Sequence, residues 1–354
     1  MQIITESNRP SLQLNQNHWQ SQLRTALKTY PETRSFFELK EDFESKYNNF
    51  IPLKLAHKIK QAGPSSPLWK QFIPVADEND EIGFHDPIGD LASAKGNGII
   101  HRYESRILFT PTTFCPVICR YCFRKNQLSE HDPIFKTNFI ELKKYLIQNP
   151  QVNEVILTGG DPLMLNNNKL IELFEMLSFQ NIKFLRIHTR TPIILPERIN
   201  EGFIKLLQNF SSKFTKIIFV LHTNHADELD QDVSLALNKL RQAPIKKLTQ
   251  SVLLHEVNNS SQDLENLFYK VLDCDFTPYY LHHPDKAKGA MHFWLPLEEG
   301  RRIYAKIRDK LPGWAIPHYT IDHPSGDGKQ HTFNPESFSF SGKLLNKDGD
   351  LLTY

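Results

Sequence analysis

The chain has 354 residues, with 42 Lys and Arg against 40 Asp and Glu and an apolar share of 40%. That length supports a large barrel or two domains with buried cores. The near-balanced charge excludes a global field that would draw the chain to nucleic acid or an anionic membrane.

Residues 1–95 read as helices joined by polar breaks. NHWQSQLRTALKTY and IPLKLAHKIKQAG carry apolar residues at three- and four-residue spacing, and AGPSSPLW and FHDPIGD punctuate them. The opening MQIITESNRPSLQLNQ has no signal-type apolar core, and no string reaches the length of a membrane span, so a cytoplasmic protein is expected. This stretch is expected to form a helical region over a larger core spanning 96–312.

From about residue 104 short β-branched runs alternate with amphipathic segments. RILFT, NEVILT, KFLRIHT, KIIFVLH, LTQSVLL and TPYYLHH predict strands; FIELKKYLIQN, NKLIELFEML, ELDQDVSLALNKLRQ and SQDLENLFYKVL predict helices. Such strand–helix repeats argue for an α/β fold of parallel strands with crossover helices, with the chemistry at the C-terminal strand ends. Cys115, Gly159, Gly160, Asp161, Arg190, His222 and Asp285 follow those runs. In the last segment, 313–354, WAIPHYTIDHPSGDGK predicts one more strand and a Gly-rich turn. FSFSGKLLNKDGDLLTY predicts a hairpin around Asp348-Gly349.

Three of the four cysteines, Cys115, Cys119 and Cys122, fall in TPTTFCPVICRYCFRKN with spacing C-x3-C-x2-C. Three thiolates can hold three irons of a [4Fe–4S] cube and leave the fourth open to a small molecule, whereas ferredoxin-type carriers use four. An odd cluster cannot pair off as disulfides. A zinc site completed by His101 or His131 stays open as an alternative. TGGDPL, Thr158–Leu163, offers backbone groups unobstructed by side chains at Gly159 and Gly160, although Gly-Gly turns are common strand-to-helix connections. Lys329 ends the turn TIDHPSGDGK, where a lysine can reach a planar carbonyl cofactor; read alone, it is a solvated surface lysine.

Taken together, the cysteine loop with Tyr121, TGGDPL, RTPIILPERI, HTNH, QSVLL, PYYLHHPD and DHPSGDGK resemble the lysine 2,3-aminomutase family of radical S-adenosylmethionine (SAM) enzymes, in family order from His101 to Lys329. The resemblance implies a partial (β/α)6 TIM-like barrel, a [4Fe–4S] cluster on Cys115, Cys119 and Cys122, SAM, and pyridoxal 5′-phosphate (PLP) joined to Lys329. It assigns Arg102, Tyr103 and Arg106 of HRYESR to the PLP phosphate, and Gly159, Gly160, Asp161, His222 and Gln250 to SAM and cofactor contacts. Arg124 would hold the carboxylate of a free lysine substrate, and Asp285 and Asp322 its distal ammonium. Also implied are migration of the amino group from carbon 2 to carbon 3, a flavodoxin- or ferredoxin-type electron donor and a homo-oligomer. Short relatives include the aminomutase that serves elongation factor P; a radical SAM modifier without PLP is a further alternative. Ser325 and Asp327 depart from the expected glycine run, and His282 stands where a tyrosine is expected.

Overall fold

The computed structural model of the chain describes residues 18–126, 139–322, 328–332, 344–345 and 351–352. Ten strands form one sheet in sequence order: β1 (Ala94–Gly96), β2 (Ile99–Tyr103), β3 (Arg106–Phe109), β4 (Glu154–Leu157), β5 (Phe184–Thr189), β6 (Lys216–His222), β7 (Lys246–Val252), β8 (Thr277–His282), β9 (His318–Asp322) and β10 (Lys329–His331). Strands β3 to β9 run parallel. The antiparallel β2 and β1 extend one side and the antiparallel β10 the other, so the described ladder stays open. The six predicted strands are all present, and so is the additional one, β9.

The crossover helices are α5 (Phe139–Gln148), α6 (Asn167–Ser178), α8 (Glu201–Ser211), α9 (Gln231–Lys239), α10 (Ser261–Asp273) and α11 (Leu297–Lys310), with the short α7 (Thr191–Ile194) directly after β5. Four of them start at a polar side chain that accepts a helix N–H: Asn166, Asn200, Asp230 and Ser260. Helices α8 and α11 were not among the predicted strings. Each carries a glycine in its first turns, and Gly300 of α11 answers to packing, because a Cβ there would overlap the Tyr319 hydroxyl at 1.9 Å.

Before the sheet lie α1 (His18–Arg24), α2 (Tyr30–Phe37), α3 (Leu53–Ala62) and α4 (Pro67–Phe72). The string NHWQSQLRTALKTY forms a helix only through Arg24. Thr29 and Glu32 then build a capping box that starts α2 afresh, and Leu27 bridges to Ile51 instead. Trp19, Ile51 and Phe72 share one hydrophobic core with Ile107, Leu185 and Phe268 of the sheet and its helices. Leu344–Leu345 and Leu351–Leu352 pair antiparallel, as the hairpin reading expects, while Asp348 and Gly349 lie outside the described residues, as do Ser325, Asp327 and His131.

Strand pleating sends alternate side chains to the concave face. Arg186 and His188 on β5, His222 on β6, Gln250 on β7, Tyr280 and His282 on β8, and Asp322 on β9 lie there, partly buried. A register break opposite Thr249 and Gln250 sets Tyr279 beside Tyr280 with their hydroxyls 2.8 Å apart.

Candidate active site

The cysteine loop follows β3 and crosses the turn after β4. Gly160 N–H donates to Thr112 O at 3.1 Å, and Asp161 N–H donates to Phe114 O at 2.9 Å. A Cβ on Gly160 would sit 2.6–2.7 Å from the backbone of Thr112, Thr113 and Phe114, and one on Gly159, whose φ is +98°, 2.3 Å from the Thr110 side chain. The two glycines are therefore required by the close approach of the cysteine loop. The Gly160 N–H, read from sequence as unobstructed, is used up within the protein, and so is that of Asp161.

Asp161 is buried, and its carboxylate accepts from Leu163 N, Thr189 Oγ1, Arg190 N and Thr191 N at 2.7–3.0 Å. It thereby ties the end of β4 to the end of β5. Arg190, which follows β5, donates from Nη2 to Gln71 and Glu228 at 2.9 and 3.0 Å, while its Nε and Nη1 are buried without a hydrogen-bond partner.

From the other side the loop is fastened by the N-terminal region: Ile118 N–H donates to Phe50 O and Arg120 N–H to Gln71 O. Arg120 and Glu78 are both fully buried and paired through two nitrogens, and Lys125 Nζ reaches Glu78 at 3.2 Å and Gly289 O at 2.7 Å. Burial pushes Glu78 up, but Arg120 and Lys125 outweigh it and hold its carboxyl below the ordinary range. Lys125, desolvated in turn, falls to about 8.

Burial pushes all three loop thiols up, Cys119 to about 12, and each of the three feels charge on another of them or on the arginine and lysine beside it. After burial, Arg190 has the largest effect on Cys119 and lowers it. Thiols so placed ionise only when a metal takes the proton's position. The unpartnered Arg190 donors beside Cys119 suit the negative charge of a thiolate-bound cluster, so this donor set fits one. Among the described residues no group of three or more His, Cys, Asp or Glu side chains could hold a single metal ion. His101, the described candidate for a zinc site, instead bonds the Tyr145 hydroxyl at 2.6 Å.

A run of buried charges leads away from the loop. Arg124 Nη2 meets Asp90 Oδ2 at 2.7 Å, and Asp90 Oδ1 accepts from Arg102 Nη2 at 3.0 Å. Arg102 Nη1 lies 3.8 Å from Asp322 Oδ1, and the other oxygen of Asp322 is ion-paired with Lys329 Nζ. Arg102 is thus occupied by two carboxylates, although its buried Nε lacks a partner. The Lys329 backbone N–H donates to the Tyr103 hydroxyl at 3.0 Å, and Arg106 lies over the Tyr103 ring at 3.7 Å. Gly328, at φ +85°, leaves room for that hydroxyl, since a Cβ there would meet it at 2.2 Å. Strand β2, next to one end of the ladder, and β10, at the other end, therefore come together at this point.

Lys329 Nζ also sits 5.6 Å from the Tyr280 ring centroid. Burial, then the charge of Lys329, pushes His282 well down. Asp285 is pushed up to about 7 by burial and by Asp322, against the pull of Lys329 and Arg124. Two facing carboxylates, a reachable lysine amine and two arginines can bind a zwitterion with a second ammonium at fixed spacing.

Sequence reading did not single out Asp90, which lies in the DPIGD punctuation, nor Glu78, His188 or the open donors of Arg190. The only signal for Asp90 was an acidic residue in a Pro-Gly turn ahead of HRYESR.

Fold and site together define a radical SAM enzyme, and residues 109–267 match the Radical SAM superfamily. The chain is 36% identical over 270 residues to the L-lysine 2,3-aminomutase of Escherichia coli, covering 75% of this chain and 78% of that protein. To the L-lysine 2,3-aminomutase of Buchnera aphidicola it is 34% identical over 282 residues, 79% of this chain and 82% of that one. The chain belongs to the lysine 2,3-aminomutase family and is an enzyme of the isomerase class. Membership implies a [4Fe–4S] cluster and SAM. A crystal structure of Streptococcus suis SuiB bound to precursor peptide SuiA shares the fold at a TM-score of 0.50 and 15% identity, covering 74% of this chain and 62%, less than two thirds, of that one. No helix among the described residues is long and apolar enough to cross a membrane.

Proposed function

We propose that the chain converts free L-lysine to β-lysine by moving the amino group from carbon 2 to carbon 3, using PLP together with the cluster and SAM. One observation carries this reading: ion pairs run without a break from Arg124, two residues past Cys122, through the largely buried Asp90, Arg102 and Asp322 to the more exposed Lys329. The Asp322 carboxylate ties the Lys329 amine to that run, which supports a role for it at the site.

Cys115, Cys119 and Cys122 hold the cluster, with Arg190 beside them. The backbone at Gly159, Gly160 and Asp161, together with His222 and Gln250, serves SAM. Lys329 is the amine that joins the PLP aldehyde, and Arg102, Tyr103 and Arg106 receive its phosphate, a dianion suited to guanidinium donors. When bound, the cluster and SAM supply a hydrogen-abstracting radical, and PLP supplies the π-system that carries the migrating nitrogen.

The chain's own contribution is orientation. Arg124 takes the substrate carboxylate, while Asp285 and Asp322 take the distal ammonium and so gauge side-chain length. A glutamate side chain would meet like charge there and be rejected. The concave face excludes water, and an electron donor of flavodoxin or ferredoxin type completes the system in the cytoplasm.

The test is anaerobic incubation of the iron- and sulfide-loaded chain with SAM, PLP, reductant and lysine, followed by chiral product analysis. β-Lysine is expected, with borohydride trapping PLP on Lys329 and none on Lys329→Ala. Loaded protein that binds PLP but leaves lysine unchanged overturns the reading.

A further inference from the structure

His188 on β5 has a buried Nε2 with no hydrogen-bond partner. An acceptor or donor left alone in a protein interior is costly, and in a cavity wall it marks a place for a ligand atom. Burial, then the charges of Arg186, Lys329 and His282, pushes the ring well down, so it is neutral. Gln250 on β7 lies beside the same ring and works against that shift.

The same Gln250 offers its Nε2 to His222 Nδ1 at 3.5 Å, and His222 Nε2 meets the Tyr121 hydroxyl at 2.7 Å. Rings of Tyr121 and His222 stack at 15°. These contacts assign the protons along the row. With the Gln250 amide nitrogen turned to His222, its oxygen is the atom left for His188, which suits a proton on Nδ1 of that ring. A neutral imidazole with a proton on Nδ1 has only a lone pair at Nε2. The row therefore begins next to Cys122 and ends on an acceptor aimed into the concave face, near Lys329.

We propose that His188 Nε2 accepts a hydrogen bond from a hydroxyl of a bound cofactor, with Gln250, His222 and Tyr121 holding it in the accepting form. Two hydroxyl sources belong to this site under the function proposed above, on which the inference rests: the ribose of SAM and the ring hydroxyl of PLP. His188 is a positioning residue here, because it orients a cofactor and makes or breaks no bond.

Binding of each cofactor is compared with that of its deoxy analogue in anaerobic titrations of cluster-loaded protein: SAM against 2′-deoxy- and 3′-deoxy-SAM, and PLP against 3-deoxy-PLP. The wild-type chain is expected to prefer one hydroxylated form by about tenfold. His188→Phe keeps an aromatic ring and removes the acceptor. It is expected to abolish that preference for one cofactor, which names the source, and to leave the other cofactor unaffected. A structural role alone would weaken parent and analogue equally, with the preference intact in His188→Phe, and that result overturns the inference. If His188→Phe does not fold, His188→Asn, which restores an acceptor oxygen, is compared with His188→Leu; equal preference in the two also overturns it. Wild-type protein that binds neither SAM nor PLP instead overturns the function proposed above.

Discussion

Asp322 stands directly across the β9–β10 ladder from Lys329, and its carboxylate is ion-paired with the Lys329 amine. The cation at the Asp322 carboxylate is thus the protein's own lysine. Under the proposed function, joining that amine to the PLP aldehyde would withdraw it and free Asp322 for the ammonium of the substrate.

Asp285 carries a pH signature of this arrangement. Its carboxyl, pushed up to about 7 by burial and Asp322, keeps a proton that the unfolded chain loses near about pH 4. Across that window the folded state binds more protons, so its stability falls as pH rises. In cofactor-free protein Asp285→Asn is expected to leave the melting temperature unchanged near about pH 4 and to raise it by a few degrees near about pH 8. Equal shifts at both pH values in a thermal melt contradict the assignment.

Asp90 holds Arg124 and Arg102 with one oxygen each. Asp90→Asn keeps the shape and loses the charge, so both guanidiniums lose their fixed orientation. KM for lysine is expected to rise about tenfold or more, since a buried charged hydrogen bond contributes about 1.5–3 kcal/mol. Steady-state kinetics at saturating SAM and PLP check it; an unchanged KM removes Asp90 from the site.

Gly160→Ala should be far more damaging than its size suggests. The new Cβ meets backbone atoms of Thr112, Thr113 and Phe114 at 2.6–2.7 Å, and backbone cannot swing aside as a side chain can. Iron content after anaerobic loading is expected to fall well below about four per chain. Full loading would mean that the loop tolerates displacement.

Glu78→Ala leaves Arg120 and Lys125 buried with their anion removed. Uncompensated buried charge costs about 3–5 kcal/mol. Chemical denaturation should register that loss, while Glu78→Gln, which keeps hydrogen-bonding atoms, should lose less. Equal stability of Glu78→Ala and wild type would show that Arg120 finds another partner.

Much of the barrel was legible because its signals are local. NEVILT, KFLRIHT and KIIFVLH became strands within a residue or two of their predicted ends. Helices α8 and α11 were missed where a glycine sits in the first turns, as Gly300 does to admit Tyr319. The role of Gly160 was half legible. Its lack of a side chain was noticed, but the beneficiary is the cysteine loop, whose carbonyls take the N–H groups of Gly160 and Asp161.

By itself the sequence determined the strand–helix alternation, the spacing of Cys115, Cys119 and Cys122, and the candidate lysine, because periodicity and motif spacing are properties of neighbouring residues. Tertiary structure alone decided that Asp90 joins Arg124 to Arg102, that Asp322 pairs with Lys329 across a ladder, and that His188 Nε2 is left open. Those contacts depend on sheet curvature and strand register, which arise from the packing of the whole core and leave no trace in any short stretch of chain.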